Sequence, residues 1–187
     1  MRKLKHHEIP RLSVEACRTH PRHPIVVIVD NMRSLHNVGS LFRTADAFLL
    51  QELILTGITP TPEHPGLRKT ALGAEQTVPW RYLPEASSYL HKLKEQGYTI
   101  AALELTNTPT SFDTLTSSSY PLGLIIGNEV HGVSDELLSQ ADIALEIPQF
   151  GTKQSLNASV AFGIAAYELT LRFRTLHQMP LRLTDHP

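Results

Sequence analysis

At 187 residues the chain matches one domain with enough length to bury a core, and dividing it in two would leave both halves small. It is 41% hydrophobic and 19% charged, with 17 Lys and Arg against 18 Asp and Glu, which excludes a disordered chain, a collagen-like repeat and a strongly basic tail. The longest apolar runs, residues 25–29 and 122–126, fall far short of the roughly 20 residues that cross a bilayer, so no membrane partner is expected.

Residues 1–24 read as a basic leader. Arg2, Lys3, Lys5, Arg11, Arg18 and Arg22 face only Glu8 and Glu15 there. Such a segment either attracts a phosphate backbone or is simply solvated, and both readings stay open. It has no apolar core after its charges, so it does not read as a secretory signal and the cytoplasm is the expected location. A lone Cys17 forms no internal disulfide, and the His residues lack the clustered Cys of a zinc site, so no metal is expected.

Residues 25–29, a β-branched run, read as a buried central strand. A helix follows over 38–50, with Asn37 placed as its N-cap. Residues 52–56 form the next strand, 57–66 a loop rich in Pro and Gly, and 77–83 an edge strand because Pro79 cannot donate to a ladder. A helix over 86–96 stops at Gly97, and strands are expected over 98–105, 122–126 and 143–147. Helices over 134–141 and 155–176 complete the pattern, with 177–187 as a tail. Strands alternating with helices give an α/β fold, a mostly parallel sheet wrapped on both faces, with 25–176 as its body. In such folds ligands sit beyond the carboxyl ends of the strands.

Three loops there are rich in polar groups. In the first, Asn37 and Arg43 lie roughly 9 Å apart along a helix, within reach of one substrate. A guanidinium in so apolar a helix needs a carboxylate, or an incoming phosphate or ribose. The second, Gly127-Asn-Glu129-Val-His-Gly-Val-Ser134, has the glycine spacing of a phosphate-binding loop, but Val133 stands where the lysine should be, which argues against a nucleoside triphosphatase. Gly127 instead permits close backbone approach to a cofactor, and Glu129 is either a site carboxylate or a turn carboxylate. In the third, Ser155, Asn157 and Ser159 crowd hydrogen-bonding groups onto the start of a long apolar helix, more than a cap alone requires. Further along it, Val160 and Ile164 with small residues around them mark a close-packed core or a dimer interface.

Taken in order, Asn37 with Arg43, Gly127-Asn-Glu129 with Gly132-Val-Ser134, and Ile147-Pro with Ser155-Leu-Asn157 resemble the three motifs of the SpoU (TrmH-like) branch of the SPOUT RNA methyltransferases. The resemblance spans residues 25–175. It implies a C-terminal deep trefoil knot, S-adenosylmethionine held in the knotted loops, and a homodimer whose active site draws on both subunits. It further implies methyl transfer to a ribose 2′-hydroxyl of tRNA or rRNA. Arg43 would act as general base or as a clamp on phosphate and developing alkoxide, and Asn37, Glu129, Ser155 and Asn157 would position it and the substrate. Gly127, Ile147 and Leu156 match the positions that embrace the cofactor, with Leu103 and Leu105 as an addition. Arg22, Arg33, Arg68 and Lys69 are candidate RNA contacts. A SPOUT base methyltransferase and a noncatalytic RNA-binding protein are the alternatives, and a dinucleotide oxidoreductase is disfavoured because no G-x-G-x-x-G follows the first strand.

Overall fold

The computed structural model describes residues 1–181; the last part of the predicted tail, 182–187, lies outside the described residues. Strands β1 (His23–Asp30), β2 (Leu50–Thr56), β3 (Trp80–Leu83), β4 (Thr99–Leu103), β5 (Pro109–Thr110), β6 (Leu122–Ile126) and β7 (Ile143–Leu145) form one sheet in the order β3-β2-β1-β6-β4-β7-β5. Every pairing among them is parallel. The helices are α1 (Val14–Thr19), α2 (Leu35–Ala47), α3 (Pro65–Ala71), α4 (Ser87–Glu95), α5 (Asp135–Leu138) and α6 (Ala158–Leu176).

The sheet is covered on both faces, as the unbroken Val/Ile run of β1 requires. Its side chains alternate between two cores. Ile25, Val27 and Val29 join Leu41 and Phe42 of α2 and Phe162 and Leu169 of α6. Val26 and Ile28 join Leu90 and Leu93 of α4 and Leu137 of α5. The chain runs outward from β1 to β2 and β3, then crosses to β4 and returns to place β6 directly against β1. The carboxyl ends of β1 and β6 therefore lie side by side where the strand order reverses, the usual position of a ligand crevice.

Several boundaries differ from the sequence reading. The first long helix starts at Leu35 and is capped by Ser34, whose Oγ accepts the Asn37 N–H at 3.3 Å, so Asn37 is not the cap and its amide is free for other work. The region read as loop passes into α3, with Pro65 at the first turn and His64 as its cap; proline suits a helix start because its missing N–H is unpaired there anyway. The last helix begins at Ala158, not 155, with Asn157 as its cap.

The end of the leader is anchored to the body of the fold. Ser13 caps α1, Cys17 is buried, and Arg22 donates to the carbonyls of Leu50, Cys17 and Thr77 at 3.1, 3.2 and 2.5 Å. Those bonds commit Arg22 to holding the leader against the strand edge, where it was expected to offer its charge to RNA. His23 fixes the opposite end of the chain. Because Arg174 only donates, its 3.0 Å contact makes His23 Nε2 the acceptor, and Nδ1–H donates to the Phe48 carbonyl at 2.7 Å. Phe173 packs edge-on against the imidazole.

Burial pushes the His23 pKa down and the Arg174 charge adds to this, against the opposing pull of the Phe48 carbonyl. The folded state thus binds its proton more weakly than the unfolded chain, and the stability held above about pH 6.5 declines as pH falls from there toward the lower folded value. Thermal melts between pH 7.5 and 5 should show a shallower fall for His23→Asn than for the wild type; equal slopes would contradict this assignment.

Candidate active site

The loop after β6 meets the loop after β1 through a carboxylate. Glu129 Oε2 accepts the Arg33 N–H at 3.0 Å, and Oε1 accepts the Ser34 N–H at 3.0 Å and the Asn37 side-chain amide at 2.9 Å. The group sits at the N-terminus of α2, where free N–H groups and the helix dipole favour negative charge. Burial raises its pKa, but the bonds from Arg33, Asn37, its own backbone N–H and Ser34 outweigh burial, so the net shift is downward. Asn37 passes the link onward. Its Oδ1 accepts the Asn157 amide at 3.2 Å, while Asn157 Oδ1 accepts the Ser159 and Val160 N–H groups that open α6. Residues 37, 129 and 157, far apart in sequence, thus form one hydrogen-bonded line.

The same loop is held from below. Buried Asp30 accepts the Ser134 N–H at 2.8 Å, and Asn128 donates to the Asn31 carbonyl at 2.7 Å while its oxygen accepts the Val130 and His131 N–H groups. Residues 128 and 132 pair across the turn. Gly127 is enclosed by that turn: a Cβ there would lie 2.0 Å from the Gly132 carbonyl carbon and 2.2 Å from the Val133 nitrogen.

Beside this loop opens a cavity of about 450 Å³, within the usual range for a small-molecule site. Leu103, Leu105, Gly127, Ile147 and Leu156, the five positions expected to embrace the cofactor, all line it, together with Glu129 and Ser155. Its walls combine these apolar groups with the carboxylates Glu104, Glu129, Asp135 and Glu146, and carry no Lys or Arg among the described residues. That lining suits an amphiphilic cation and opposes a polyphosphate, which fits S-adenosylmethionine, a sulfonium with an apolar adenine.

Arg43 is placed differently. It lies on the exposed face of α2 with His36, does not line the cavity of its own chain, and makes no hydrogen bond or ion pair among the described residues. The partner expected from its apolar neighbours is absent because Leu41, Phe42 and Ala45 point inward while position 43 points out. Arg33 and Lys69 are exposed, and Arg68 is exposed with one bond to the Pro62 carbonyl. The sequence reading passed over Ser34, Asp30, Asn128 and Glu104. Ser34 and Asp30 stand within the first polar loop without a spacing signal, Asn128 lies inside the second motif but was given no role, and Glu104 stands between the two leucines singled out.

A parallel α/β sheet with a cofactor-sized cavity at the carboxyl ends of β4, β6 and β7 is the arrangement of an RNA methyltransferase fold. Residues 24–167 match the model of the SpoU rRNA methylase family, and the chain belongs to that family. It is 31% identical over 161 residues to the tRNA (guanosine(18)-2′-O)-methyltransferase of Thermus thermophilus, covering 86% of this chain and 81% of that one. It is 34% identical over 154 residues to a protein of Staphylococcus haemolyticus assigned by name to the TrmH family of tRNA/rRNA methyltransferases, covering 82% of this chain and 60% of the other. The chain thus spans about 60% of the length of the staphylococcal relatives it matches. Among solved structures, the A. aeolicus TrmH/SpoU tRNA modifying enzyme superposes with TM-score 0.76 at 28% identity, over 92% of this chain and 88% of that one. The AdoMet-bound rRNA methyltransferase of Sinorhizobium meliloti gives 0.74 at 27% identity, over 92% and 63%. S-adenosylmethionine is the cofactor of this family, and the lining described above accommodates it.

Gly127→Ala should weaken S-adenosylmethionine binding at least about tenfold in calorimetry and lower the melting temperature, because the atoms its Cβ meets are backbone and cannot swing aside. Binding within twofold of wild type would show that the turn is not the wall of the cofactor site.

Proposed function

We propose that the chain catalyses S-adenosylmethionine-dependent methylation of a ribose 2′-hydroxyl in a structured tRNA or rRNA, acting as a homodimer with a C-terminal trefoil knot. The observation that carries this reading is the convergence of Asn37, Glu129 and Asn157 beside a cationic-ligand cavity. The 2′-O-specific relative from Thermus thermophilus supports ribose over base as the acceptor.

When bound, the cofactor supplies an already electrophilic methyl group. The chain's own task is then alignment, charge stabilisation and exclusion of water. Glu129 holds the start of α2 through Arg33 and Ser34, and Asn37 joins that start to α6. Ser155, exposed at the cavity rim with no hydrogen bond among the described residues, is available to a sugar hydroxyl. A guanidinium is a permanent cation, so Arg43 acts by holding a phosphate and offsetting the charge that develops on the attacking oxygen, while the hydroxyl proton leaves to solvent.

Arg43 reaches a cavity only from a second copy. An apolar strip supports that assembly: Val160 and Tyr167, each 50% exposed, and Ile164 lie on one face of α6, and Ile164 shares a groove with Leu156 and a 99% exposed Phe150 beside the cavity. Isolated apolar side chains are ordinary on surfaces, but a contiguous strip marks an interface. Arg33, Arg68 and Lys69, all exposed, serve as phosphate contacts for a recognised RNA shape. The return of β6 between β1 and β4, with its loop held by residues 30, 31 and 104, supports the knotted path.

Methyl transfer to cellular tRNA and rRNA, followed by nucleoside mass spectrometry, should place the label on the sugar. Arg43→Ala should lower kcat by about two to three orders of magnitude with cofactor affinity held within about threefold. A methyl on the base, or near-normal turnover by the variant, would overturn the reading.

A further inference from the structure

The carboxylates of the cavity are uncompensated. None of Glu104, Glu129, Asp135 and Glu146 takes part in an ion pair among the described residues. Glu129 is turned toward α2 and spends both oxygens there. Glu104 also bonds through both oxygens, but it follows β4 and its partners belong to the cavity wall itself. Its Oε2 accepts the Val133 N–H at 2.9 Å, and its Oε1 accepts the Leu105 N–H at 2.9 Å.

The opposite wall is shaped to receive it. Gly132 adopts φ +69°, and a Cβ there would stand 2.2 Å from Glu104 Oε2. Glycine suits 132 by its backbone conformation, and the missing side chain leaves the space that the carboxylate occupies. The partners of Glu104 are backbone dipoles, which orient its charge without cancelling it. A fixed negative charge in a partly enclosed cavity acts on a ligand far more strongly than one in water.

Methyl transfer changes the ligand's charge. As the carbon–oxygen bond forms and the carbon–sulfur bond breaks, sulfur keeps the electron pair, the sulfonium becomes a neutral thioether, and the hydroxyl proton passes to solvent. The ammonium and carboxylate of the methionine end are the same before and after. We propose that Glu104 is a specificity-determining residue that makes the cavity favour the sulfonium donor over the thioether product, so that hold on the ligand weakens once the methyl has left. This rests on the cofactor being seated in the cavity.

Calorimetry on the full chain with S-adenosylmethionine and with S-adenosylhomocysteine, without RNA, separates the two points. Wild-type binding of the donor tests the seat; if neither compound binds, the seat and the proposal fall together. Glu104→Gln keeps the volume and one acceptor oxygen but removes the charge. It should lower the ratio of donor to product affinity by about 5- to 20-fold while product affinity stays within about threefold. Glu104→Ala, a second neutral variant, should shift the ratio the same way, and Glu104→Asp, which keeps the charge, should largely preserve it even if its shorter reach weakens both ligands. A ratio within twofold of wild type in the neutral variants overturns the proposal. That holds whether both affinities drop together, as for a purely structural latch, or neither does.

Discussion

Everything in this site depends on where one carboxylate finds its hydrogen bonds. Glu129 leaves the end of β6 and meets two backbone N–H groups and one amide at the start of α2, an element that begins more than ninety residues earlier in the chain. A helix N-terminus has unpaired donors, and a carboxylate satisfies them with charge of the right sign. Because the acceptor is supplied from another loop, the same contact that finishes the helix also closes the crevice between β1 and β6. Asn37 then extends the link to Asn157, so that the caps of two helices and the loop of a third element form one unit.

That unit explains the division of labour among the polar residues. Asp30 and Asn128 keep the β6 loop in its turn, Glu104 ties it to the end of β4, and the glycines at 127 and 132 let the backbone come close enough for both. Among the described residues no Lys or Arg enters the cavity, so neither offsets the charge of its carboxylates. The positive groups lie outside it, on the surface of α2 and α3 and in the loop before α2. On the proposed function, a cavity for a cation and a rim for phosphate are thereby kept apart in space, the separation needed to bring a sulfonium and a polyanionic acceptor together without either occupying the other's place.

Much of the fold was legible because burial leaves a plain mark. The Val/Ile runs of β1 and β6 were read with nearly their observed limits, since strands covered on both faces are continuously apolar. Helix starts were harder. Asn37 and Ser34 are both good caps, and tertiary demand from Glu129 decided between them. Pro65 counted toward a loop although it opens α3. Arg22 looked like free positive charge because its carbonyl partners at Leu50 and Thr77 are brought to it only by folding. Glu104 was overlooked for the same reason, as its partner Val133 is remote in sequence. The polar loops pointed to Asn37, Arg43, Glu129, Ser155 and Asn157, the resemblance added Leu103, Leu105, Ile147 and Leu156, and their mutual contacts could come only from the coordinates.

Arg43 is exposed on α2 and does not line the cavity that Glu129 lines, and on the proposed function the two residues serve one site from different subunits. Subunit mixing tests this directly. Arg43→Ala and Glu129→Ala chains, each inactive alone, would be unfolded and refolded together; half of the resulting dimers would be mixed, and one of the two sites in each would carry neither lesion. Methyl transfer recovering to about a quarter of the wild-type level is the predicted result for a site shared across a two-fold interface. Mixed dimers that form and remain as inactive as either parent would contradict it.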